Sequence, residues 1–551
     1  MHVLGLNFNL HDSAAAIVTD GRVLAAAQEE RFTRVKHTGV FPQHAAAYCL
    51  REVGVDASDL AAVAFYWQPW RGLLHRGRLF LRHLPHTLGY LAQSSVGRGT
   101  ACHLLKHAAA PFQVHRFFRR AIPFYFVEHH RCHAATAYYL SPFSEAALLS
   151  LDFAGEKDST FCGYADNTTG INRMWTILYP HSLGSFYSTI TQFLGFRSSA
   201  DEYKVLGLAA YGCPRFYEHL RNLIWLLPDG QFRIDLHAFV HHLGHDVFYS
   251  QRLIELLGPP RQPGEEPLNE RFCDIARSAQ MVLEEMALHV ARHLRKRTKT
   301  SKLCLVGGVA LNAAMNHRLL SDSGFDDIYI PAAPHDAGTA VGAALAVSER
   351  RLGPSMPRVS CQQAYLGPSY SREEVRRALA GVGLKYECAH DPVRVAAEAV
   401  ARGAIVGWFQ GRMEFGPRAL GNRSILADPR RPDMRHLINT KVKHRETFRP
   451  FGASVRLERF QEYFCMSRPS RFMMQICAVR EDKRSQVPAV VHVDGTCRPH
   501  VVSREDNPLY WQLLVEFERI SGVPVILNTS FNVSDEPIVC TPNHALRCFA
   551  V

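Results

Sequence analysis

The chain has 551 residues, of which 47% are hydrophobic and 21% charged, and a formal net charge of +12. This length predicts two or more domains with sizeable cores, and the composition is that of a globular protein. No apolar run approaches the roughly 20 residues of a membrane-spanning helix, and the N-terminus lacks the layout of a signal peptide. The fourteen cysteines contain no C-x-x-C pair, which argues against a zinc ribbon and favours free thiols in a reducing, cytoplasmic setting.

The first thirty residues alternate short apolar runs with polar turns. Residues 3–7, 13–18 and 22–27 predict three strands, with a polar turn after the first and an Asp20-Gly21 hairpin turn before the third. This succession of strands and turns is how the actin-like ATPase fold opens. In that fold the first turn approaches a bound phosphoryl or acyl-nucleotide group.

A basic segment at residues 60–127 contains nine Lys or Arg and no Asp or Glu, and so supplies +9 of the net charge. Basic residues interleaved with aromatic ones occur where proteins bind RNA, an acidic partner or a membrane surface. Arginine stems that cover apolar surface in a solvated helical subdomain would give the same pattern. A substrate-side lid and a solvated subdomain both remain open, and nucleic acid is the least favoured partner. The basic residues are Arg71, Arg76, Arg78, Arg82, Arg98, Lys106, Arg116, Arg119 and Arg120.

His129 and His133 lie in a stretch of good helix formers that Pro142 ends. On a helix they share one face, so both imidazoles can reach one metal ion. The zinc-protease motif has this spacing with a glutamate beside the first histidine. Because His130 takes that place here, peptide hydrolysis is not indicated. Two surface histidines in a chain with 29 would give the same spacing, which leaves the metal site open.

Three further motifs follow apolar strands or turns. Residues 148–151 lead into Asp152, which suits a hard cation but could equally begin a turn. The strand at 303–306 leads into a glycine pair, and glycines there let backbone amides approach a nucleotide. Asp336 opens a small-residue helix at 339–347, either as a capping residue or as a further metal ligand.

The pattern breaks at residues 353–364, which predicts a linker between a domain of residues 1–352 and a second domain of residues 365–551. The second domain concentrates basic residues around glycine and proline turns. Arginine forks suit triphosphates and other oxyanions, so an anion pocket is a better interpretation than a solvated basic face.

These motifs together resemble the O-carbamoyltransferases of antibiotic and nodulation-factor biosynthesis. The resemblance implies an α/β protein with an N-terminal actin-like (ASKHA) domain similar to threonylcarbamoyladenosine transferases. It also implies a C-terminal α+β YrdC-like domain that makes carbamoyl-adenylate from carbamoyl phosphate and Mg-ATP. The N-terminal domain would then pass the carbamoyl group to a substrate hydroxyl. The matching segments are residues 7–16, 29–37, 129–138, 152–156, 204–212, 307–312, 336–342, 414–421, 439–451 and 528–532.

Carried over residue by residue, the resemblance implies site residues in both domains. An iron(II) ion, for which two imidazoles and carboxylates are a plausible set, would be held by His129, His133, Asp152 and Asp336. His11 would take the acceptor proton, since an imidazole with a pKa of roughly 6.5 suits a general base at neutral pH, and Lys36 would neutralise charge on the adenylate. The first nucleotide pocket would be lined by Gly155, Glu156, Lys204, Gly308 and Asn312. ATP and carbamoyl phosphate would be held in the second domain by Arg418, Lys443, Arg449, Arg498, Asn528 and Ser530.

The chain departs from the family pattern at several points. Asn9 stands where an aminoglycoside-modifying member carries an aspartate, so we expect a neutral or acidic hydroxylated acceptor. Phe153 follows the aspartate where a glycine is usual, so the geometry of this loop is expected to differ. We also expect the C-terminus to be truncated at Val551. The alternatives are an actin-fold kinase and an RNA-modifying or RNA-binding protein of the threonylcarbamoyladenosine type, and the oligomeric state is open between monomer and homodimer.

Overall fold

The computed structural model describes residues 1–88, 100–262, 264–358 and 364–550. The chain divides into two compact units, of which the first contains Met1–Glu29 and His37–Cys361 and the second Glu30–Lys36 and Gln362–Val551. Arg98 of the basic segment, residues 359–363 of the expected linker and Val551 lie outside the described residues. Within the described ranges, no helix combines the length and the apolar character that a membrane span requires.

Two five-stranded sheets form the centre of the first unit, and both have the same strand order. The strands are β1 His2–Asn7, β2 Ala14–Thr19, β3 Arg22–Gln28, β4 Leu60–Phe65, β5 Phe124–Phe126, β6 Glu145–Leu151, β7 Asp158–Asp166, β8 Gly170–Leu178, β9 Ile224–Leu226, β10 Phe232–Ile234, β11 Lys302–Val306 and β12 Asp327–Tyr329. One sheet runs β3-β2-β1-β4-β5 and the other β8-β7-β6-β11-β12, while β9 and β10 form a separate hairpin.

Strand direction follows the same rule in both sheets. Three antiparallel strands come first, and the two later strands pair in parallel on the other side of the first one. Asp20 and Gly21 in the first hairpin turn have φ of 47° and 80°, as a type I′ turn requires. This duplicated order is that of the actin-like fold, which confirms the α/β class and the actin-like arrangement expected from the opening strands.

The helices of the first unit include one that is buried along nearly its whole length, the histidine helix His129–Leu140. It packs against Thr339–Leu352 at Gly342, where a Cβ would lie 1.8 Å from the carbonyl oxygen of Cys132. Only glycine permits this close approach, which fixes the histidine helix beside the segment that carries Asp336. The other helices are Gln43–Val53, Leu73–Arg82, Thr100–Ala108, Ala110–Phe118, Leu183–Phe193, Glu202–Ala209, Tyr217–Arg221, Gln251–Leu257, Glu270–Thr298 and Ala313–Asp322.

The basic segment is not helical from its first residue. Its opening run, Leu60–Phe65, is uncharged and almost entirely buried, and it forms β4 between β1 and β5. Such continuous apolar runs are typical of strands in parallel pairing that are covered on both faces. The helical part of the basic segment therefore lies between β4 and β5.

Glu30–Lys36 belongs to the second unit, although the sequence places it in the first domain. Arg34 donates to the carbonyl oxygens of Pro537 and Ile538 at 2.6 and 2.7 Å. Phe32 packs against an apolar cluster of the second unit that includes Met413. These contacts lie far along the chain, so a local sequence pattern could not indicate them.

The second unit is built on one seven-stranded mixed sheet. Its strands are β13 Val406–Phe409, β14 Arg423–Ala427, β15 Gly452–Arg456, β16 Phe464–Cys465, β17 Cys477–Val479, β18 Thr496–Val502 and β19 Val525–Ser530, in the order β13-β14-β19-β15-β18-β17-β16. Only β15 and β18 pair in parallel among these described strands. The helices are Glu30–Thr33, Arg372–Gly381, Pro392–Ala401, Met434–Leu437, Phe460–Tyr463, Pro508–Ser521 and Pro542–Ala550. This is the α+β unit that the sequence predicts.

Candidate metal centre and anion pocket

Four buried side chains converge in the first unit: His129, His133, Asp152 and Asp336. Oδ2 of Asp152 lies 3.0 Å from Nε2 of His129 and 3.1 Å from Nε2 of His133. The two Nε2 atoms are 3.2 Å apart. Oδ1 of Asp336 lies 3.7 and 3.5 Å from the same two nitrogens. The structure therefore brings all four expected ligands to one point.

The strand ends position the carboxylates of this cluster. Asp152 directly follows β6, and its Oδ1 accepts from the amides of Phe153 at 2.8 Å and Gly308 at 3.3 Å. These two bonds orient Oδ2 towards the histidines. Asp336 precedes the Thr339–Leu352 helix. Both carboxylates thus lie in loops that follow strands of the same sheet, β6 and β12, and functional residues of α/β folds commonly lie in such loops.

Charge in the cluster favours ionised carboxylates. Burial would raise the pKa of Asp152, but the hydrogen bonds from His129 and His133 hold it well below its usual range. The pKa of Asp336 is also lowered, since the neighbouring histidines outweigh its burial. Burial lowers the pKa of His133, and the two carboxylates reverse this and raise it to about 9. The cluster therefore attracts positive charge.

The spacing of the donor atoms fits a metal ion. Metal–ligand bonds of about 2.1 Å place neighbouring ligand atoms about 3.0 to 3.4 Å apart, and the shortest separations here are 3.0 to 3.2 Å. Nδ1 of each histidine is buried without a hydrogen-bond partner in the described part of the chain. Each imidazole therefore contacts the two carboxylates through its Nε2 atom. Two imidazoles and two carboxylates form a donor set that suits a divalent first-row metal.

His11 lies beside this cluster, in the turn after β1. Its Nε2 is 3.7 Å from Oδ2 of Asp336, and its Nδ1 is 2.9 Å from Oδ2 of Asp12. The other oxygen of Asp12 is 2.8 Å from Nδ1 of His37. Partial burial lowers the pKa of His11, but the charge of Asp336 and the bond to Asp12 raise it to about 10. This pKa exceeds the ordinary value that the sequence led us to expect. A cation bound by Asp336 would offset the negative charge of that carboxylate and so lower the pKa of His11.

Gly155 and Glu156 support the start of the histidine helix. A Cβ at Gly155 would lie 3.0 Å from Cδ2 of His130 and 3.2 Å from Cδ2 of His129, so the glycine lets the loop pack on both rings. Oε1 of Glu156 accepts from the amides of Gln68 at 2.9 Å and His129 at 3.0 Å. Burial raises the pKa of Glu156 to about 7. This carboxyl satisfies an amide at the N-terminus of the helix.

Asn312 and Lys204 contact other parts of the first unit. The Asn312 side chain accepts from the amide of Met315 and exchanges hydrogen bonds with Gln280 at 2.8 and 3.1 Å. Nζ of Lys204 lies 3.5 Å from Oδ2 of Asp201. Of the residues expected in the first nucleotide pocket, Gly155, Glu156 and Gly308 thus touch residues of the cluster directly, whereas Asn312 stabilises a neighbouring helix.

Sequence reasoning missed an aromatic wall beside the cluster. The rings of Tyr66 and Trp67 lie 5.6 and 5.3 Å from the ring of His129, centroid to centroid. His107 from the basic segment stacks on Trp67 at 5.1 Å. The sequence does show that Tyr66 and Trp67 directly follow an apolar strand, which places them in a loop at the end of that strand. Only the tertiary structure shows that their rings contact His129.

The second unit gathers polar and basic groups on one face of its sheet. Gly452 of β15 is opposite Asn528 of β19 on one side and Arg498 of β18 on the other. Residues opposite one another in neighbouring strands point to the same face. Ser530 lies two residues beyond Asn528 and shares that face. We call Arg498, Asn528 and Ser530 the polar row. Gly452 lies between Arg498 and Asn528 and has no side chain, which leaves space between them.

Lys443 contacts this row from a neighbouring segment. Its buried Nζ donates to the carbonyl oxygen of Ser530, and to the carbonyl and side-chain oxygens of Asn532 at 2.7 and 2.8 Å. Burial holds the pKa of Lys443 well below its usual range, and the positive charges of Arg445 and Arg449 act in the same direction. A nearby anion would reverse this effect.

Arg498 and Arg449 add positive charge to the same region. Burial, together with the positive charge of Arg449, lowers the pKa of Arg498 to about 10. Within the described chain, no carboxylate pairs with Arg498, and Arg449 lies 3.7 Å from one oxygen of Glu446. This surplus of cations makes the region around Lys443, Arg449 and Arg498 a candidate anion pocket.

Lys36 and Arg418 are placed by two loops of the second unit. Lys36 is among the charges that lower the pKa of Lys443, so it lies in the second unit and not in the actin-like unit where the resemblance put it. Arg418 precedes Ala419, whose carbonyl oxygen accepts from Nδ2 of Asn528 at 3.3 Å. This contact joins the Arg418 loop to the polar row.

The duplicated sheets and the buried histidine–carboxylate cluster define an actin-like protein with a candidate metal centre, and the chain continues into an α+β unit with a candidate anion pocket. The sequence matches the family model of the carbamoyltransferase N-terminus over residues 2–345 and that of the carbamoyltransferase C-terminus over residues 397–551. The chain therefore belongs to the carbamoyltransferase family of enzymes, as the motifs predicted.

Curated relatives extend along almost the whole chain. The protein sll1178 of Synechocystis sp. is 40% identical over 580 aligned residues, which cover 100% of this chain and 94% of the relative. Nodulation protein NolNO of Sinorhizobium fredii is 37% identical over 552 residues, covering 98% of this chain and 77% of the relative. A solved structure, component A of (R)-2-hydroxyglutaryl-CoA dehydratase from Acidaminococcus fermentans, is 13% identical with a TM-score of 0.34, and the match covers 64% of this chain and 99% of that one.

Proposed function

We propose that this enzyme is an ATP-dependent O-carbamoyltransferase that forms carbamoyl-adenylate from carbamoyl phosphate and ATP and then carbamoylates a hydroxyl of a small-molecule acceptor. The observation that carries the proposal is the occurrence, in one chain of this family, of two sites with opposite charge. One site attracts a cation and the other attracts anions. A reaction that uses phosphorylated donors and a polarised carbonyl needs both.

The anion pocket would carry out adenylate formation. Lys443, Arg449 and Arg498 supply positive charge where the triphosphate of Mg-ATP and the phosphate of carbamoyl phosphate would bind. Water would first release inorganic phosphate and carbamate from carbamoyl phosphate, and a carbamate oxygen would then attack the α-phosphorus of ATP as the bond to pyrophosphate breaks. Negative charge grows on the bridging oxygen of the leaving pyrophosphate, and preorganised cations stabilise that charge. Asn528 and Ser530 would orient the donor through neutral hydrogen bonds, and Arg418 and Lys36 would add charge from their loops.

The cluster in the first unit would carry out transfer. His129, His133, Asp152 and Asp336 would hold a divalent metal, which we propose to be iron(II) and which would supply Lewis-acid polarisation of a carbamoyl or phosphate oxygen. The acceptor oxygen attacks the carbamoyl carbon of the adenylate, and AMP leaves with the electrons of the broken C–O bond. His11 would take the hydroxyl proton at Nε2, while Asp12 orients the ring through Nδ1.

We infer that the acceptor is neutral or acidic. Asn9 in the turn after β1 donates to the carbonyl oxygen of Lys106 at 3.0 Å, so this turn contacts the basic segment. An uncharged Asn9 would not attract a polycationic acceptor as a carboxylate would. The aromatic wall of Tyr66 and Trp67 suits the apolar face of a sugar or of another ring-bearing acceptor.

The experiment that tests the first half-reaction needs no acceptor. Purified protein is incubated with Mg-ATP, carbamoyl phosphate and labelled pyrophosphate, and label that enters ATP is counted. Carbamoyl-phosphate-dependent exchange would support the adenylate, and product analysis with hydroxylated acceptors would follow. No exchange from folded protein would contradict the adenylate mechanism, and salt-sensitive RNA retention on filters would then favour an RNA-directed function.

A further inference from the structure

The helix Leu73–Arg82 lies against the first unit by one face only, and none of its residues is buried. Nε2 of His75 contacts the carbonyl oxygen of Tyr179 at 2.6 Å. Arg76 donates to the carbonyl oxygens of Gly155 and Glu156 at 2.7 Å each. These bonds define the inner face of the helix and fix which residues point away from the protein.

The outer face of this helix alternates leucine and arginine. Leu74 is 81% exposed and Leu81 is 66% exposed, and they lie two helical turns apart. Arg78 is one turn from Leu74 and from Leu81, so helical spacing places these three residues on one face, and Arg82 is exposed beside them at the end of the helix. Leucines this exposed gain nothing from the fold of the described chain, and their presence calls for a partner with apolar character.

A second helix of the same segment repeats the pattern. Ala110 and Val114 of the helix Ala110–Phe118 are buried. Phe112 is 69% exposed, Arg116 follows it one turn later on the same side, and Arg119 is exposed at the C-terminal cap of the helix. Two helices of one segment thus each present a large apolar side chain aligned with arginines.

The charges on these outer faces are not neutralised within the described residues. Six exposed cations, none with an ion-pair partner in that part of the chain, are Arg78, Arg82, Lys106, Arg116, Arg119 and Arg120. Residues 60–127 contain no Asp or Glu. The segment therefore complements a partner that is both anionic and apolar.

We propose that the outer faces of Leu73–Arg82 and Ala110–Phe118, here called the leucine–arginine surface, bind the surface of an anionic lipid bilayer. Leucine and phenylalanine would enter the acyl boundary while the arginines contact headgroup phosphates. A second copy of this chain would bring like charges together and is repelled. Single-stranded nucleic acid would use planar rings for base stacking, and of the three exposed apolar side chains of this surface only Phe112 offers one.

The proposal goes beyond carbamoyl transfer, and its test requires neither ATP nor carbamoyl phosphate. The full chain is mixed with vesicles of phosphatidylcholine alone or with 3:1 phosphatidylcholine and phosphatidylglycerol, and bound protein is measured by co-sedimentation. We expect binding to the anionic vesicles at least about tenfold tighter than to the neutral ones, weakening with salt.

Two double variants separate the apolar and the charged contributions. Leu74→Ser/Leu81→Ser and Arg78→Gln/Arg82→Gln should each weaken binding at least about tenfold, because insertion and headgroup attraction are both required. Matched controls on exposed positions of the second unit, Val382→Ser/Val395→Ser and Arg376→Gln/Arg377→Gln, should leave binding unchanged. Circular dichroism and thermal melting verify that each variant is folded.

Three results would overturn the proposal. Equal binding to neutral and anionic vesicles would exclude charge recognition, and no binding to either would exclude the surface altogether. Unchanged vesicle binding by Leu74→Ser/Leu81→Ser would mean that the cations alone act, as for an acidic protein or a nucleic acid. Failure of carbamoyl transfer would not alter any of these readings, because the vesicle assay does not depend on it.

Discussion

The two candidate sites contrast in charge. In the first unit, two carboxylates with lowered pKa values, Asp152 and Asp336, face two imidazoles in a buried cluster. In the second, Lys443 and Arg498 have lowered pKa values because they are buried among cations. The ionised carboxylates of the first site would stabilise a cation, and the buried cations of the second site would stabilise an anion.

This contrast gives a physical reason for two units in one enzyme. A pocket that holds triphosphate must be strongly positive, whereas a centre that holds a divalent metal needs carboxylates. Both requirements cannot be met at one place, because opposite charges at contact distance pair with each other instead of with ligands. The predictions below alter one site at a time.

The largest expected effect is on metal binding. Asp152→Asn removes the charged oxygen that contacts both histidines, and metal affinity should fall by about 100-fold or more. Metal content after anaerobic loading is measured by inductively coupled plasma mass spectrometry. His130→Gln is the matched control, since His130 is buried on the same helix and bonded to Ser150 and to the Asp158 carbonyl. Equal metal content in Asp152→Asn would contradict the ligand assignment.

The next effect concerns the anion pocket. Arg498→Ala should slow carbamoyl-phosphate-dependent pyrophosphate exchange about 100-fold, because a buried cation that stabilises the leaving pyrophosphate is lost. Arg504→Ala removes an exposed arginine of the same unit and should have little effect. Equal exchange rates in the two variants would place the pocket elsewhere.

A third expected effect is the uptake of protons by Lys443 when ATP binds. The pKa of Lys443 is held well below its usual range, and a bound triphosphate would raise it, so ATP binding should take up protons in the pH range between the lowered and the raised value. Calorimetric titration in buffers of different ionisation enthalpy measures this number. Lys443→Met should abolish the uptake, and the same uptake in that variant would exclude Lys443 as its source.

The smallest expected effect is a loss of folding stability at low pH, and it concerns both units. Burial lowers the pKa of His241 in the first unit to about 4 and that of His500 in the second to about 3. The unfolded chain binds protons at these histidines below about pH 6.5, whereas the folded chain does so only at lower pH. Stability should therefore fall as the pH drops from about 6.5 towards 4.

Urea unfolding at pH 7.5 and 5.5 measures this loss, which should be about 1 kcal/mol per buried histidine. His500→Gln should reduce the pH dependence of the second unit. A stability that does not change between these two pH values would contradict the burial of neutral imidazoles.

Local patterns were sufficient for much of the architecture. The alternation of the first thirty residues predicted β1 to β3, and the spacing of His129 and His133 placed both imidazoles on one helical face. Such features depend on residues close in the chain. The order of the two sheets repeats, and this repetition emerged only from strand pairing.

Tertiary contacts that the sequence does not indicate determine the surroundings of two expected site residues, Lys36 and Glu156. Lys36 follows the first sheet in sequence, yet its segment packs in the second unit through Arg34. The resemblance implies that Glu156 lines a nucleotide pocket, and the structure adds that its carboxyl accepts a hydrogen bond from the amide of His129. In both cases the partner is distant in the chain, so no local motif carries the information.

The most direct test of two separable sites is a comparison of both half-reactions in two variants. Pyrophosphate exchange and transfer from separately supplied carbamoyl-adenylate are measured for Asp152→Asn and Arg498→Ala. Opposite charge requirements predict that Asp152→Asn keeps exchange and loses transfer, and that Arg498→Ala loses exchange and keeps transfer. Loss of both activities in both folded variants would show a single shared site and contradict the division of labour.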